Sequence, residues 1–316
     1  MSLIDTPPFA ALAGASRVLI AGAGGGFDVF CGVPIALSLL RLGKEVTFAN
    51  LTFTYLGGTN AVQVQPALHA VTPETEGEDG YFPERLLARW LAERGHPAPV
   101  YALDKVGVVP MRAAYARLIQ EHALDAMVLV DGGTDLLMRG DEAGLGTPAE
   151  DVTSLAAVAG LEVPTRLAVC LGFGIDAHHG VCHAQFLENV ANLARAGGYR
   201  GAVSLNREDP EGAAYLDLVA YANQRSAGRE SIVNACIASA VEGQFGNHHA
   251  TGRTRGSTLF INPLMSLYWA FELAHVARAN LYLDRLATSE TIWDVQLQIE
   301  AFRHSVTTRP RTAIPG

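Results

Sequence analysis

Apolar residues along this chain fall into short runs that stop at glycine and aspartate, and between the runs lie longer stretches with helical spacing. Arg17–Ala23 (RVLIAGA), Glu45–Ala49 (EVTFA), Ala126–Val130, Arg166–Leu171 (RLAVCL) and Gly201–Leu205 (GAVSL) read as strands. The bare apolar character of Ala126–Val130 is that of a strand buried on both faces. Helices are expected from the first glycine loop to about Leu42, with Pro34 in the first turn, and over Pro83–Arg94 and Met111–Leu124. Further helices are expected over Val181–Ala196, Pro210–Ala227, Ser231–Val241, Pro263–Asn280 and Ser289–Phe302. Thr147-Pro-Ala-Glu150 has the form of a capping box that opens another, with Glu150 as cap and Asp151 favouring the positive helix end. Val62–Val71 has room for a short extended piece, and acidic Thr72–Gly80 reads as an exposed loop. The last ten or so residues read as a loose tail.

Strands alternating with helices imply a parallel sheet covered on both faces. The expectation is one Rossmann-like α/β domain over residues 1–316. Its sheet core spans about 17–206, and a mostly helical C-terminal part spans about 207–303.

Composition narrows the class. Apolar residues make up 49% and charged residues 17%, which is a well-packed globular protein rather than a disordered one. The net charge of -9 argues against nucleic acid or an anionic membrane as partner. No stretch is long enough to span a bilayer, and the first residues lack the basic-then-apolar pattern of a signal peptide. Cys31, Cys170, Cys182 and Cys236 have no paired spacing, which suits a reducing cytoplasm. The aromatic segment Pro263–Asn280 belongs either to the core or to a homo-oligomer interface.

The candidate chemistry lies where the strands stop. Three apolar runs end in glycine followed by aspartate: Gly24-Gly25-Gly26-Phe-Asp28, Asp131-Gly-Gly-Thr-Asp135 and Gly172-Phe-Gly-Ile-Asp176. In a parallel sheet these ends share one edge, where open α/β folds bind ligands. Carboxylates crowded there raise one another's pKa unless a cation or hydroxyl donors intervene. Asp131 and Asp135, helped by Asp28 and Asp176, would hold a divalent metal (Mg, Mn or Zn) or substrate hydroxyls. Asp176, His179 and His183 add histidine ligand types, the two histidines four apart as on one helical face. Asp131, Asp135 or His179 would serve as general base. Asp141 and Glu142 have no evident structural role in the sequence.

The first loop also invites a nucleotide, since glycines let phosphate approach a helix start. Gly22 and Gly24 fit the dinucleotide fingerprint, but its third glycine falls on Phe27 and its ribose-binding acid on Asn50. Arg253 and Arg255 lie in a polar loop and suit an oxyanion. Neither G-x-S-x-G nor a Walker A sequence occurs. The leading expectation is metal-assisted hydrolysis of a small polar metabolite, phosphorylated or sugar-like. The alternatives are an NAD(P)-dependent oxidoreductase and a non-catalytic metabolite-binding protein.

The combination GGGFD, then DGGTD with GDE and GTPAED, then GFGID with HHGV resembles an uncharacterised bacterial and archaeal family catalogued as a domain of unknown function. The resemblance covers roughly Arg17 to Asn280. It implies a shared glycine- and aspartate-rich site and no particular reaction.

Overall fold

The computed structural model describes residues 8–78 and 80–314. The N-terminal residues read against a signal peptide, 1–7, lie outside this range, as does Asp79 in the acidic loop. The strands are β1 (Arg17–Gly22), β2 (Glu45–Leu51), β3 (Val62–Gln65), β4 (Leu68–Val71), β5 (Val100–Leu103), β6 (Ala126–Gly132), β7 (Thr165–Leu171), β8 (Tyr199–Ser204) and β9 (Leu267–Glu272). The helices are α1 (Asp28–Cys31), α2 (Val33–Arg41), α3 (Pro83–Ala92), α4 (Val108–His122), α5 (Pro148–Ala159), α6 (His183–Arg195), α7 (Pro210–Arg225), α8 (Ile232–Val241), α9 (Leu273–Ala279) and α10 (Ile292–Ser305).

All nine strands form one sheet, in the order β3-β4-β5-β2-β1-β6-β7-β9-β8. The central block β5-β2-β1-β6-β7 is parallel, and β6 is buried along its whole length. Side chains of these strands alternate between two cores. Leu19, Met127, Leu129 and Ala168 face one, which α4, α5, α6, α9 and α10 cover. Val18, Ile20, Val128 and Val169 face the other, covered by α1, α2, α3, α7 and α8. Each fully buried Val, Leu or Ile contributes about 1.5–3 kcal/mol before the entropy of ordering it. The Rossmann-like α/β expectation therefore holds, with helices on both faces.

The order also places a crevice. From β1 the chain builds outward through β2 toward β5, then returns to add β6 on the other side of β1. Loops leaving the carboxyl ends of β1 and β6 therefore diverge, which is where such sheets bind ligands.

Several local expectations are corrected. Pro263–Asn280 is not one helix: it holds β9 and the short α9. Strand β9 runs antiparallel between β7 and β8, so the mostly helical C-terminal part also contributes a strand to the sheet. Its side chains alternate, Trp269 and Phe271 into one core and Tyr268 and Ala270 into the other. Val62–Val71 is a complete hairpin, β3–β4, that extends the opposite edge. The acidic loop is partly tied down, because Arg85 donates to the carbonyls of Gly77 and Glu78 and Thr75 is buried.

The C-terminal tail is docked rather than loose. Arg309 pairs with Asp141 (2.9 Å), buried Glu142 (3.3 Å) and Glu188, and its N–H donates to the Asp141 carbonyl. Gln185 donates to the carbonyl of Pro310, and the Cys182 thiol to that of Thr312. Asp141 and Glu142 thus have structural roles. Glu142 also accepts from the backbone N–H groups of Arg139 and Gly140 and from Asn189. Together these contacts hold the long loop between β6 and α5.

Candidate functional site

At the carboxyl ends of β1 and β6 lies a cavity of about 830 Å³. The Gly24–Gly26 loop, Asp28, Asp131, Asp135, Asp151 and Asp176 line it, with His179 and Arg253. The sheet register explains the convergence, since β6 pairs in parallel with both β1 and β7 and brings the three glycine–aspartate turns side by side.

Glycine is what lets the carboxylates approach. A Cβ at Gly24 would stand 2.8 Å from oxygens of both Asp28 and Asp151. One at Gly132 would stand 2.7 Å from Asp28, and one at Gly133 2.7 Å from Asp176. Gly146, with φ +72, would put a Cβ 2.3 Å from Asp135.

Most of the acids are tethered. Asp28 opens α1 and accepts from the Gly24 N–H at 2.8 Å. Asp131 accepts from the Leu136 N–H (3.2 Å), and the Cys170 thiol lies 3.7 Å from the same oxygen. Asp176 accepts from the Thr134 N–H and hydroxyl. Asp135 accepts from the Thr147 N–H (2.8 Å) and hydroxyl (3.3 Å). That bond replaces the expected capping box: Thr147 makes no side-chain cap to α5, and Glu150 pairs with Lys105 instead.

Asp151 differs. It stands in the first turn of α5, only 2% exposed, and its Oδ1 is buried without a hydrogen-bond partner. Among the described residues, Asp28, Asp131 and Asp151 offer oxygens that all lie within 4.8 Å of one another. The trio shares Asp28 and Asp131 with the expected carboxylate set and adds Asp151, while Asp135 and Asp176 line the same cavity beside it.

Burial dominates the electrostatics of this cluster, and mutual repulsion adds to it. Asp28 is pushed up from 3.8 to about 7 by desolvation and then by Asp135, against the pull of the Gly24 and Gly132 N–H groups. Burial, then Asp135, then further aspartates raise Asp131 and Asp151 well above the ordinary carboxylate range. Asp176 is raised well above it by burial and Asp135. Asp135 is raised by burial, while Thr147 and His179 pull it back. Burial and mutual repulsion thus favour the protonated form of these carboxyls unless a cation intervenes.

The histidines do not form the expected shared face. His179 ends a 3-10 turn, Ile175–His179, and the left-handed Gly180 separates it from α6, which His183 opens. His179 is exposed at the cavity, whereas His183 stacks on Phe173 with its Nε2 buried and unpartnered. Arg253 lines the mouth and donates to the Glu230 carbonyl, but Arg255 is exposed and outside the cavity lining.

The first glycine loop is braced from below. Asn50, fully buried, donates to the Gly26 carbonyl and to Glu84, each at 2.7 Å. Burial raises Glu84 to about 7. Nothing in the spacing of the sequence signalled this brace or Glu84. Asp151 did have a signal, since a second acid beside Glu150 in a helix's first turn exceeds what one cap requires.

Residues 59–308 match the model of a family described as a protein of unknown function, DUF1152. The chain belongs to this family. The match spans both the second and third glycine–aspartate turns, while the first, Gly24–Asp28, precedes it. No curated protein and no solved structure matched the chain. Among the described residues, no helix is long and apolar enough to cross a membrane.

Proposed function

We propose that this chain is a divalent-cation-dependent hydrolase of a small phosphorylated or sugar-like metabolite. The observation that carries the reading is Asp151, a buried carboxylate without a partner that faces Asp28 and Asp131 across less than 4.8 Å. A buried charge is held only when paired or bound to a metal. An all-oxygen donor set suits Mg or Mn, and the missing histidine–carboxylate group makes Zn the poorer fit.

The ion would polarise the substrate oxygen and activate a water. For a phosphate ester, the water oxygen bonds to phosphorus and the P–O bond to the leaving alcohol breaks. Asp135, or His179, would take the water's proton and pass it to the leaving oxygen, giving the alcohol and phosphate. His179 and Asp135 both line the cavity.

A second reading, a nicotinamide-dependent oxidoreductase, draws on the position of the Gly24 loop at the crevice. It is weakened because Asp28 and the Leu51 carbonyl already take the Gly24 and Gly26 N–H groups. An acid thus stands where a free pyrophosphate would lie. A non-catalytic binding protein would share the pocket and show ligand-dependent stabilisation without turnover. The four cysteines are all free and buried, which fits the cytoplasm we assign, with a small molecule rather than nucleic acid or membrane as partner.

The test is Mn²⁺ titration calorimetry followed by hydrolysis assays on phosphate monoesters. We expect about one equivalent of Mn²⁺, lost in Asp131→Asn and Asp151→Asn. Absence of binding at millimolar Mn²⁺ and Mg²⁺ overturns the reading.

A further inference from the structure

The cavity is divided by charge. Its floor is the aspartate cluster, whereas one wall near the mouth carries the half-exposed ring of Phe53 with two cationic groups nearby. Phe53 follows β2, is 49% exposed, and lines the same cavity as Asp28 and Asp151. The Lys105 ammonium lies 5.4 Å from its ring centroid and pairs with Glu150. Arg253 and Tyr81 line the same cavity.

This half-exposed ring lines the cavity together with the aspartates, with Phe27 and Tyr81 in the same lining. It is also firmly placed. Thr52 before it donates its N–H to the Leu103 carbonyl, and Thr54 after it bonds the Thr52 hydroxyl and the Tyr81 carbonyl. At Gly26 a Cβ would stand 2.6 Å from the Tyr81 hydroxyl and 3.2 Å from Phe53, so the glycine lets both rings close over the loop. Rings fixed in this way offer a flat surface at little entropic cost, and a planar base stacks on such a surface.

We infer that the substrate of this site is a nucleoside phosphate, with its base on Phe53 and its phosphates reaching the ion held by Asp28, Asp131 and Asp151. This rests on the metal reading above. Metal-bridged phosphates reconcile an anionic ligand with an acidic floor. Lys105 and Arg253 supply positive charge toward the mouth, and Glu150 is an acceptor for a ribose hydroxyl. A cavity of about 830 Å³ has the size for such a ligand.

The experiment compares ADP, pyrophosphate and ribose 5-phosphate by calorimetry on the full chain, with and without Mn²⁺. Mn²⁺ alone is titrated separately. We expect ADP to bind at least ten-fold more tightly than either fragment. Phe53→Ala should bring ADP to the level of pyrophosphate, while Phe53→Tyr keeps the preference and both variants bind Mn²⁺ like the parent. If Mn²⁺ binds but ADP is no tighter than pyrophosphate, or Phe53→Ala leaves the preference intact, the nucleoside assignment is overturned and the metal reading stands. If Mn²⁺ fails to bind, the metal reading falls. A Phe53-dependent preference for ADP would then still uphold the base on this ring, and its absence would overturn that too.

Discussion

Replacing Asp151 with asparagine should make the metal-free protein more stable, the opposite of what most substitutions of buried residues do. Asp151 is buried, has no partner for Oδ1, and faces two other carboxylates. Its folded pKa is raised well above 3.8 by burial and by Asp135, so as pH rises past 3.8 the unfolded chain loses this proton before the folded state does. Stability from this group is complete at low pH and falls as pH rises. Each unit costs about 1.4 kcal/mol, so the ceiling at pH 7 is about 4 kcal/mol. Asp28 and Asp131 share the titration, which brings our expectation for Asp151→Asn to about 2 kcal/mol. For a chain of this length that is a rise in Tm of about 3 °C. Asparagine has the same shape and adds an amide donor toward its acidic neighbours. The assay is thermal unfolding in EDTA from pH 4 to pH 8. The gain should vanish near pH 4 and grow toward pH 8. Saturating Mn²⁺ should reverse the order, because a ligand at 100 times its Kd stabilises only the parent, by about 2.7 kcal/mol. A variant less stable than the parent in EDTA at pH 8 would refute the reasoning, since it would mean that the Asp151 charge is satisfied in the folded protein.

Two further outcomes follow from the same geometry. Metal must displace the proton that Asp28 holds up to about pH 7, so Mn²⁺ affinity should rise about ten-fold per pH unit per displaced proton below 7. Calorimetry in buffers of different ionisation enthalpy checks this by counting released protons. Arg309→Ala removes one partner of buried Glu142 and the side-chain pairs of the tail with Asp141 and Glu188, which should cost about 1–3 kcal/mol and weaken Mn²⁺ binding. Unchanged denaturant midpoint and metal affinity would show that the tail does not support the site.

The parallel core was written locally. Arg17–Ala23, Ala126–Val130 and Arg166–Leu171 are apolar runs that end in glycine and aspartate, and each forms a strand whose turn lines the cavity. Burial on both faces demands such runs, and the chain must turn where they stop, so periodicity and turn chemistry alone located the crevice. Membership of a family of unknown function was likewise expected from the sequence, and the match over residues 59–308 bears it out.

What the sequence could not determine is anything set by partners distant along the chain. Leu267–Ala279 has no turn residue between its strand and its helix, and only the open edges of β7 and β8 make its first half a strand. Tail residues 306–314 carry no periodic pattern, and they are ordered by acids more than a hundred positions earlier. Asp151 stands out in the sequence only as a second acid in a first helical turn. Its loss of solvent and partners comes from α5 packing it against Gly24, in a loop over a hundred residues away in the chain. Sequence by itself fixed which residues end strands in glycine and acid, because backbone geometry is local. Which carboxylates share one volume, and which of them is left unpaired, depends on the packing of α5 and the order of the strands, which is a property of the whole fold.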